Sequence, residues 1–171
     1  MSDSYSFDYM VGKLFKKGKM KEEGEELMHA AIGISGEVAE LGSCISRLNI
    51  LEELGDLAFY IEAARQSINF RGSDCATQYY TLASLLNIMS QLAGDLLDLT
   101  KKQWVYGKPI ENEKIHQLLD QLLSGVIFLG ELSGYTILDI MSANHEKLEK
   151  RYPGHVYSDQ NAQVRLDKQG E

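Results

Sequence analysis

Between His29 and Tyr60 the chain reads HAAIGISGEVAELGSCISRLNILEELGDLAFY, and its apolar residues recur with the period of a helix. Leu27, Ala31, Ile34, Val38, Leu41 and Ile45 step by four and three, which is one continuous stripe. Leu51, Leu54, Ala58 and Ile61 make a second stripe just downstream. Two neighbouring stripes must be buried, and packing them against each other as antiparallel helices achieves this. The pattern commits this stretch to an all-α helical bundle.

The same stretch carries two acidic pairs, Glu37/Glu40 and Glu53/Asp56, each spaced three residues apart. At that spacing on a helix, Cβ atoms lie roughly 5–6 Å from each other. Glu37 sits at the edge of the first stripe, and Glu40 lies further round with His29, Gly33 and Gly36. Glu53 and Asp56 flank the second stripe, together with Asn49 and Tyr60. A single Glu in such a place is ordinarily the solvated shoulder of a helix. Two matched pairs on adjacent helices would instead gather four carboxylates, which repel unless a cation lies among them. Oxygen-only donors favour a hard divalent ion, Mg2+ or Mn2+, over zinc.

The length, 171 residues, is that of one domain, and an apolar share of 44% can fill a core. Lys+Arg 17 against Asp+Glu 25 gives a formal charge of −8, which argues against a general nucleic-acid binder. Cys44 and Cys75 fit no metal or redox spacing. No apolar run has the length of a membrane span and the N-terminus has no signal-peptide pattern, so the expectation is a soluble cytoplasmic protein.

Along the chain, residues 3–17 form an amphipathic segment with Phe7, Met10, Val11, Leu14 and Phe15 on one side. A charged connector over 16–26 leads into a helix over about 26–46. Asn49 is placed to cap a helix over about 50–69. The break at 69–74 offers Asp74 as a cap for a helix over about 75–103. Further helices are expected over about 112–131 and 136–151, the last ending at Pro153-Gly154. The polar tail 155–171 is expected to be loose or draped over the surface. One regularity stands out. Gly94-Asp95-Leu96-Leu97-Asp98-Leu99 reproduces the pattern of Gly36-Glu37-Val38-Ala39-Glu40-Leu41, and Gln117-Leu-Leu-Asp120 then follows as Glu53-Leu-Gly-Asp56 does. Leucine stripes alone match by chance. The ordered acidic motifs point to an internal duplication of a helical hairpin, about 26–69 and about 75–134.

These motifs resemble the MazG-like all-α nucleoside triphosphate pyrophosphohydrolases, relatives of the dimeric dUTPases and phosphoribosyl-ATP pyrophosphatases. The resemblance rests on Glu37-Val-Ala-Glu40 and Glu53-Leu-Gly-Asp56, on Lys101-Lys102 leading to Tyr106-Gly107-Lys108, and on Asn144-His-Glu-Lys147 with Arg151-Tyr152-Pro153. It implies a MazG-like bundle that splits the α–β phosphate bond of a nucleoside triphosphate, giving the monophosphate and pyrophosphate. It implies Mg2+ (or Mn2+) on Glu37, Glu40, Glu53 and Asp56, and either a homodimer or a duplicated chain that imitates one internally. The first repeat keeps the four acids but lacks the basic pieces; the second keeps the basic pieces but has only Asp95, Asp98 and Asp120, with Gln117 where an acid would sit. One composite site per chain follows.

In that site a carboxylate not fully engaged with metal orients or deprotonates water. Glu40, furthest from the apolar stripe, is assigned this role, with Glu37 beside it. Lys108, Lys147 and Arg151 would hold the outgoing pyrophosphate, with Lys102 near them, and Asn144 a phosphate or sugar oxygen. His29, Trp104 and Tyr106 are candidates for contact with the base. Two rival readings stand against this one. Glu26-x-x-His29 and Glu113-x-x-His116 have the spacing of a di-iron carboxylate bundle. A non-catalytic helical interaction or regulatory protein would explain the weakened second repeat.

Overall fold

A computed structural model describes residues 6–15, 24–44, 47–70, 72 and 81–168, and these are helical with no strand. The helices are α1 (Phe7–Leu14), α2 (Glu25–Leu41), α3 (Arg47–Ser67), α4 (Leu82–Tyr106), α5 (Asn112–Ser133), α6 (Ile137–Arg151) and α7 (Asp159–Val164). Single 3-10 turns at Pro153–His155 and Leu166–Lys168 complete the C-terminal segment. The all-α class expected from the periodicity is what forms. Among the described residues no single helix is long and apolar enough to cross a membrane.

Helix α3 is the axis of the bundle. It packs against α2 on one side and α5 and α6 on others, with α1 closing a further edge. Burial on several sides explains why its apolar residues do not form one narrow stripe: Leu54, Leu57, Ala58, Ile61, Ala63 and Ala64 are all in the core. Helix α2 also packs on α4, and α4 on α5. Leu85, Met89 and Leu96 of α4 meet this core together with Leu119, Leu122 and Val126 of α5, each fully buried. Burying a side chain of that size contributes about 1.5–3 kcal/mol, so these layers dominate the driving force.

The helix ends differ from the expectation in instructive ways. Helix α3 begins at Arg47, so Asn49 lies inside its first turn and is not its cap. Helix α2 stops at Leu41, short of 46, where Gly42 and Ser43 turn the chain. Helix α4 begins at Leu82, not 75, because Thr81 and Ser84 form a reciprocal capping box. Asp74 and Cys75 lie outside the described residues, as do most of the 16–26 connector and the backbone at Ile45. Helix α6 opens with a second box, Thr136 with Asp139, and carries Lys150 and Arg151 in its last turn, where the helix dipole favours cations.

Two glycines allow the close approaches on which the site depends. A Cβ on Gly33 of α2 would lie 2.4 Å from the Tyr60 ring, so the missing side chain lets that ring lie across α2. A Cβ on Gly55 of α3 would lie 2.9 Å from the Asn144 Cβ, so α6 can bring Asn144 down beside Asp56. Of the two alternatives expected for the tail, it is draped over the surface: its helical turns dock back on the bundle through ion pairs.

Candidate metal centre and its cavity

Glu37 and Glu40 of α2 and Glu53 of α3 offer carboxylate oxygens that all lie within 4.8 Å of one another. Among the described residues this is the group of His, Cys, Asp and Glu side chains close enough to share an ion. Glu37 and Glu53 are half-buried while Glu40 is exposed. Burial pushes Glu37 up from 4.5 to about 8, helped by the charge of Asp56, a hydrogen bond to Glu53, and the charges of Glu40 and Glu53. Burial likewise raises Glu53. Without a cation, the repulsion is relieved by a proton: Glu37 keeps it and donates to Glu53.

Asp56, expected as the fourth member, faces the same cavity but is already partnered. Its Oδ1 accepts from Asn144 Nδ2 at 2.7 Å, and Oδ2 accepts from Lys147 Nζ. Lys147 also donates to Glu52 at 3.0 Å, and Lys168 binds Glu52 at 2.7 Å. The acids therefore divide into two groups. Glu37, Glu40 and Glu53 form a trio with no lysine or arginine bonded to it among the described residues, and Glu52 with Asp56 holds the ammonium of Lys147. Of the four acids expected to share an ion, these three lie close enough to do so, and Asp56 acts on Glu37 through its charge.

The cavity next to the trio has a volume of about 570 Å³. His29 stacks on Phe15 with ring centroids 4.8 Å apart and planes 18° from parallel, and meets Tyr60 edge-on at 6.1 Å. Phe59 stands perpendicular to Tyr60 at 5.5 Å. Burial, with the charges of Glu37 and Asp56, pushes the Tyr60 phenol up to about 12, so it stays a neutral donor. The wall from α6 and the C-terminal segment adds Arg151, Tyr152, Tyr157, Arg165 and Lys168. Arg151 is held by Asp167 through Nε to Oδ1 at 2.7 Å and Nη2 to Oδ2 at 2.5 Å. The lining of the cavity thus combines carboxylates, aromatic rings and cationic side chains.

Of the residues expected to meet substrate, His29 and Arg151 line this space, while Asn144 and Lys147 stand behind it, bonded to Asp56. Lys102, Trp104, Tyr106 and Lys108 do not line it. They lie at the end of α4 and in the turn beyond, where Trp104 and Tyr106 are 47% and 65% exposed, and Lys102 pairs with Asp98 at 2.5 Å. The aromatic contact expected of Trp104 and Tyr106 falls to Phe15, Phe59, Tyr60 and Tyr152. Only spacing could have flagged these: Phe59-Tyr60 follows Asp56 by one helical turn and Tyr152 follows Lys147 similarly. Nothing in the tail's composition pointed to Tyr157, Arg165 or Lys168.

The second acidic set does not assemble. Asp98 sits at the surface of α4 with Lys101 and Lys102, and Asp120 is buried against Arg65 of α3 at 2.5 Å. Asp95 and Gln117 are exposed. The di-iron reading loses its geometry as well: His116 stacks on Phe70 at 3.8 Å, His29 belongs to the aromatic wall, and neither joins a cluster with Glu26 or Glu113. No family model, curated protein or solved structure matches this chain.

Proposed function

We propose that the chain is a divalent-metal-dependent nucleoside triphosphate pyrophosphohydrolase with a MazG-like fold, cleaving between the α and β phosphates. The observation that carries this reading is the trio Glu37, Glu40 and Glu53, converging from two helices on a cavity that aromatic rings and Arg151 also line. The donor set fits a hard ion: all ligands are oxygen, and the proton on Glu37 marks a position where positive charge is wanted. A bound Mg2+ or Mn2+ would supply a Lewis acid that reverses the local sign for a polyanionic substrate. Glu40, the exposed member, is free on its solvent side to orient a water and take its proton.

The remaining residues divide the substrate between them. His29 and Phe15, with Tyr60 beside them, offer a flat aromatic surface of the kind on which a base stacks. Arg151 presents a planar fork suited to two phosphate oxygens, stabilising charge as pyrophosphate leaves. Lys147 and Asn144 act on Asp56, fixing its charge beside the trio. Helix α2 packs on α4 and α3 on α5, like on like, and this supports a duplicated hairpin forming an internal pseudo-dimer.

Pyrophosphate release from the common nucleoside and deoxynucleoside triphosphates in Mg2+ tests the reading. Turnover of at least one, lost in Glu53→Gln without loss of helicity, is the expected result. A folded protein that hydrolyses none of them overturns it. The second reading, a non-catalytic interaction protein, draws on the diversion of Asp98 and Asp120 into ion pairs, and that outcome would favour it.

A further inference from the structure

The C-terminal segment is tied to the bundle at both ends by polar and ionic contacts. Its first turn is pinned by Glu149, which accepts from the Gly154 amide at 3.0 Å and meets His155 Nε2 at 3.1 Å. Its far end is pinned by Asp167 on Arg151 and by Lys168 on Glu52. Between these pins Val156 and Val164 are 66% and 44% exposed, while Tyr157 and Ala162 pack, partly buried, against the core. The Asp167 side chain is nevertheless only 2% exposed, and the Arg151 side chain 15%. A nearly buried carboxylate thus occupies both arms of an arginine that faces the cavity.

An arginine fork accepts a carboxylate and a phosphate in the same two-bond geometry. Asp167 brings one negative charge, a pyrophosphate or triphosphate several. We propose that residues 153–168 are a displaceable cover: in the ligand-free protein the Asp167 carboxylate takes the Arg151 fork that a polyphosphate group takes on binding. The inference rests on the pyrophosphohydrolase reading for its ligand class. Its consequence is self-inhibition, relieved by the polyphosphate itself. Tyr157 and Arg165, which line the cavity from the same segment, move with the cover.

Calorimetric titration of inorganic tripolyphosphate with Mn2+ into the full chain, Asp167→Asn and Asp167→Asn/Arg151→Gln tests it. Asp167→Asn is expected to bind at least several-fold more tightly than wild type, since even exposed ion pairs contribute up to about five-fold and this one is largely buried. The double variant is expected to lose that gain. Equal or weaker binding by Asp167→Asn overturns the proposal, as does no binding by either single protein. Trypsin cleavage after Arg165 in the unmodified chain is a second measurement that needs no variant. Tripolyphosphate is expected to speed it several-fold, and protection overturns the proposal. Nucleotide turnover in wild type is read separately. Turnover with no gain in Asp167→Asn removes the cover and leaves the hydrolase; a gain without turnover does the reverse.

Discussion

Helices α2 and α3 carry G-E-x-x-E-L and then E-x-x-D; α4 and α5 carry G-D-x-x-D-L and then Q-x-x-D. The two hairpins use their acids in opposite ways. In α4 and α5 two motif carboxylates have cations bonded to them: Asp98 has Lys101 and Lys102 at the surface, and Asp120 has Arg65 in the interior. Among the described residues the trio of α2 and α3 has none, and Glu37 holds a proton instead. Motif spacing alone therefore does not make a metal site. What decides is whether the fold brings a lysine or arginine within reach first. Asp56 illustrates the rule inside one hairpin, because Lys147 is bonded to it while Glu53, one turn earlier, faces Glu37 and Glu40.

The comparison is broken most severely by removing the cation that α3 of the first hairpin supplies to Asp120 of the second. Arg65→Met takes the guanidinium away from the Asp120 carboxylate, whose side chain is 3% exposed. Breaking a buried ion pair by removing one member costs up to about 3–5 kcal/mol, and urea unfolding of this variant should show a loss of that order or below it. Asp120→Asn/Arg65→Met should recover part of it, since the buried charge is then removed with the guanidinium. In the first hairpin the matching change has the opposite character. Glu53→Gln removes a repelling charge, so the metal-free fold should be as stable as wild type or more so. Its Mn2+ affinity should fall by no less than the roughly 10–100-fold that second-layer substitutions cost, measured by titration followed by paramagnetic resonance. Unchanged affinity would mean the trio holds no ion.

Much of this was legible in the chain because helices announce their buried faces by period. The stripe from Leu27 to Leu41, the hairpin partner from Leu51 to Ile61 and the acids beside them are local patterns, and the fold follows them. Helix starts were less legible. Asn49 has a capping side chain, yet Arg47 already begins α3, and Thr81 with Ser84 caps α4 although Asp74 offered an earlier stop. The site was legible only where its members share a hairpin. Glu37, Glu40 and Glu53 come together because two adjacent helices fix them. Which acids stay free of lysine depends on α6 crossing α3 at Gly55, a contact between residues far apart in sequence. The same holds for the base-side wall: Trp104 and Tyr106 look suitable by composition, but α4 carries them to another surface.

Between the hairpins, proton uptake is a finer discriminator. Glu37 titrates at about 8 in the folded chain and near 4.5 when unfolded. Between those values the folded protein holds a proton that the unfolded chain has released, so this group's contribution to stability is intact below 4.5, declines as pH rises, and is gone above about 8. Metal-free protein should lose melting temperature across that window, and Glu37→Gln should flatten the loss. Mn2+ must displace the same proton, so its affinity should climb with pH at up to about tenfold per unit and level off above 8. An affinity independent of pH would separate Glu37 from the ion.

The smallest effect is expected from Asp98, the second hairpin's counterpart of Glu40. It lies at the surface of α4, and its bonds to Lys101 at 2.8 Å and Lys102 at 2.5 Å are both made in water. Those lysines hold its carboxyl down to about 2, so it is ionised throughout the working range and has no proton for a metal to displace. Exposed pairs one turn apart on a helix are screened by salt and lose side-chain entropy in forming. Asp98→Asn should leave melting temperature, Mn2+ affinity and nucleotide turnover where they are in wild type. A loss of turnover in that variant would mean that α4 contributes to the reacting centre, and the division between the hairpins would then fail at its weakest residue.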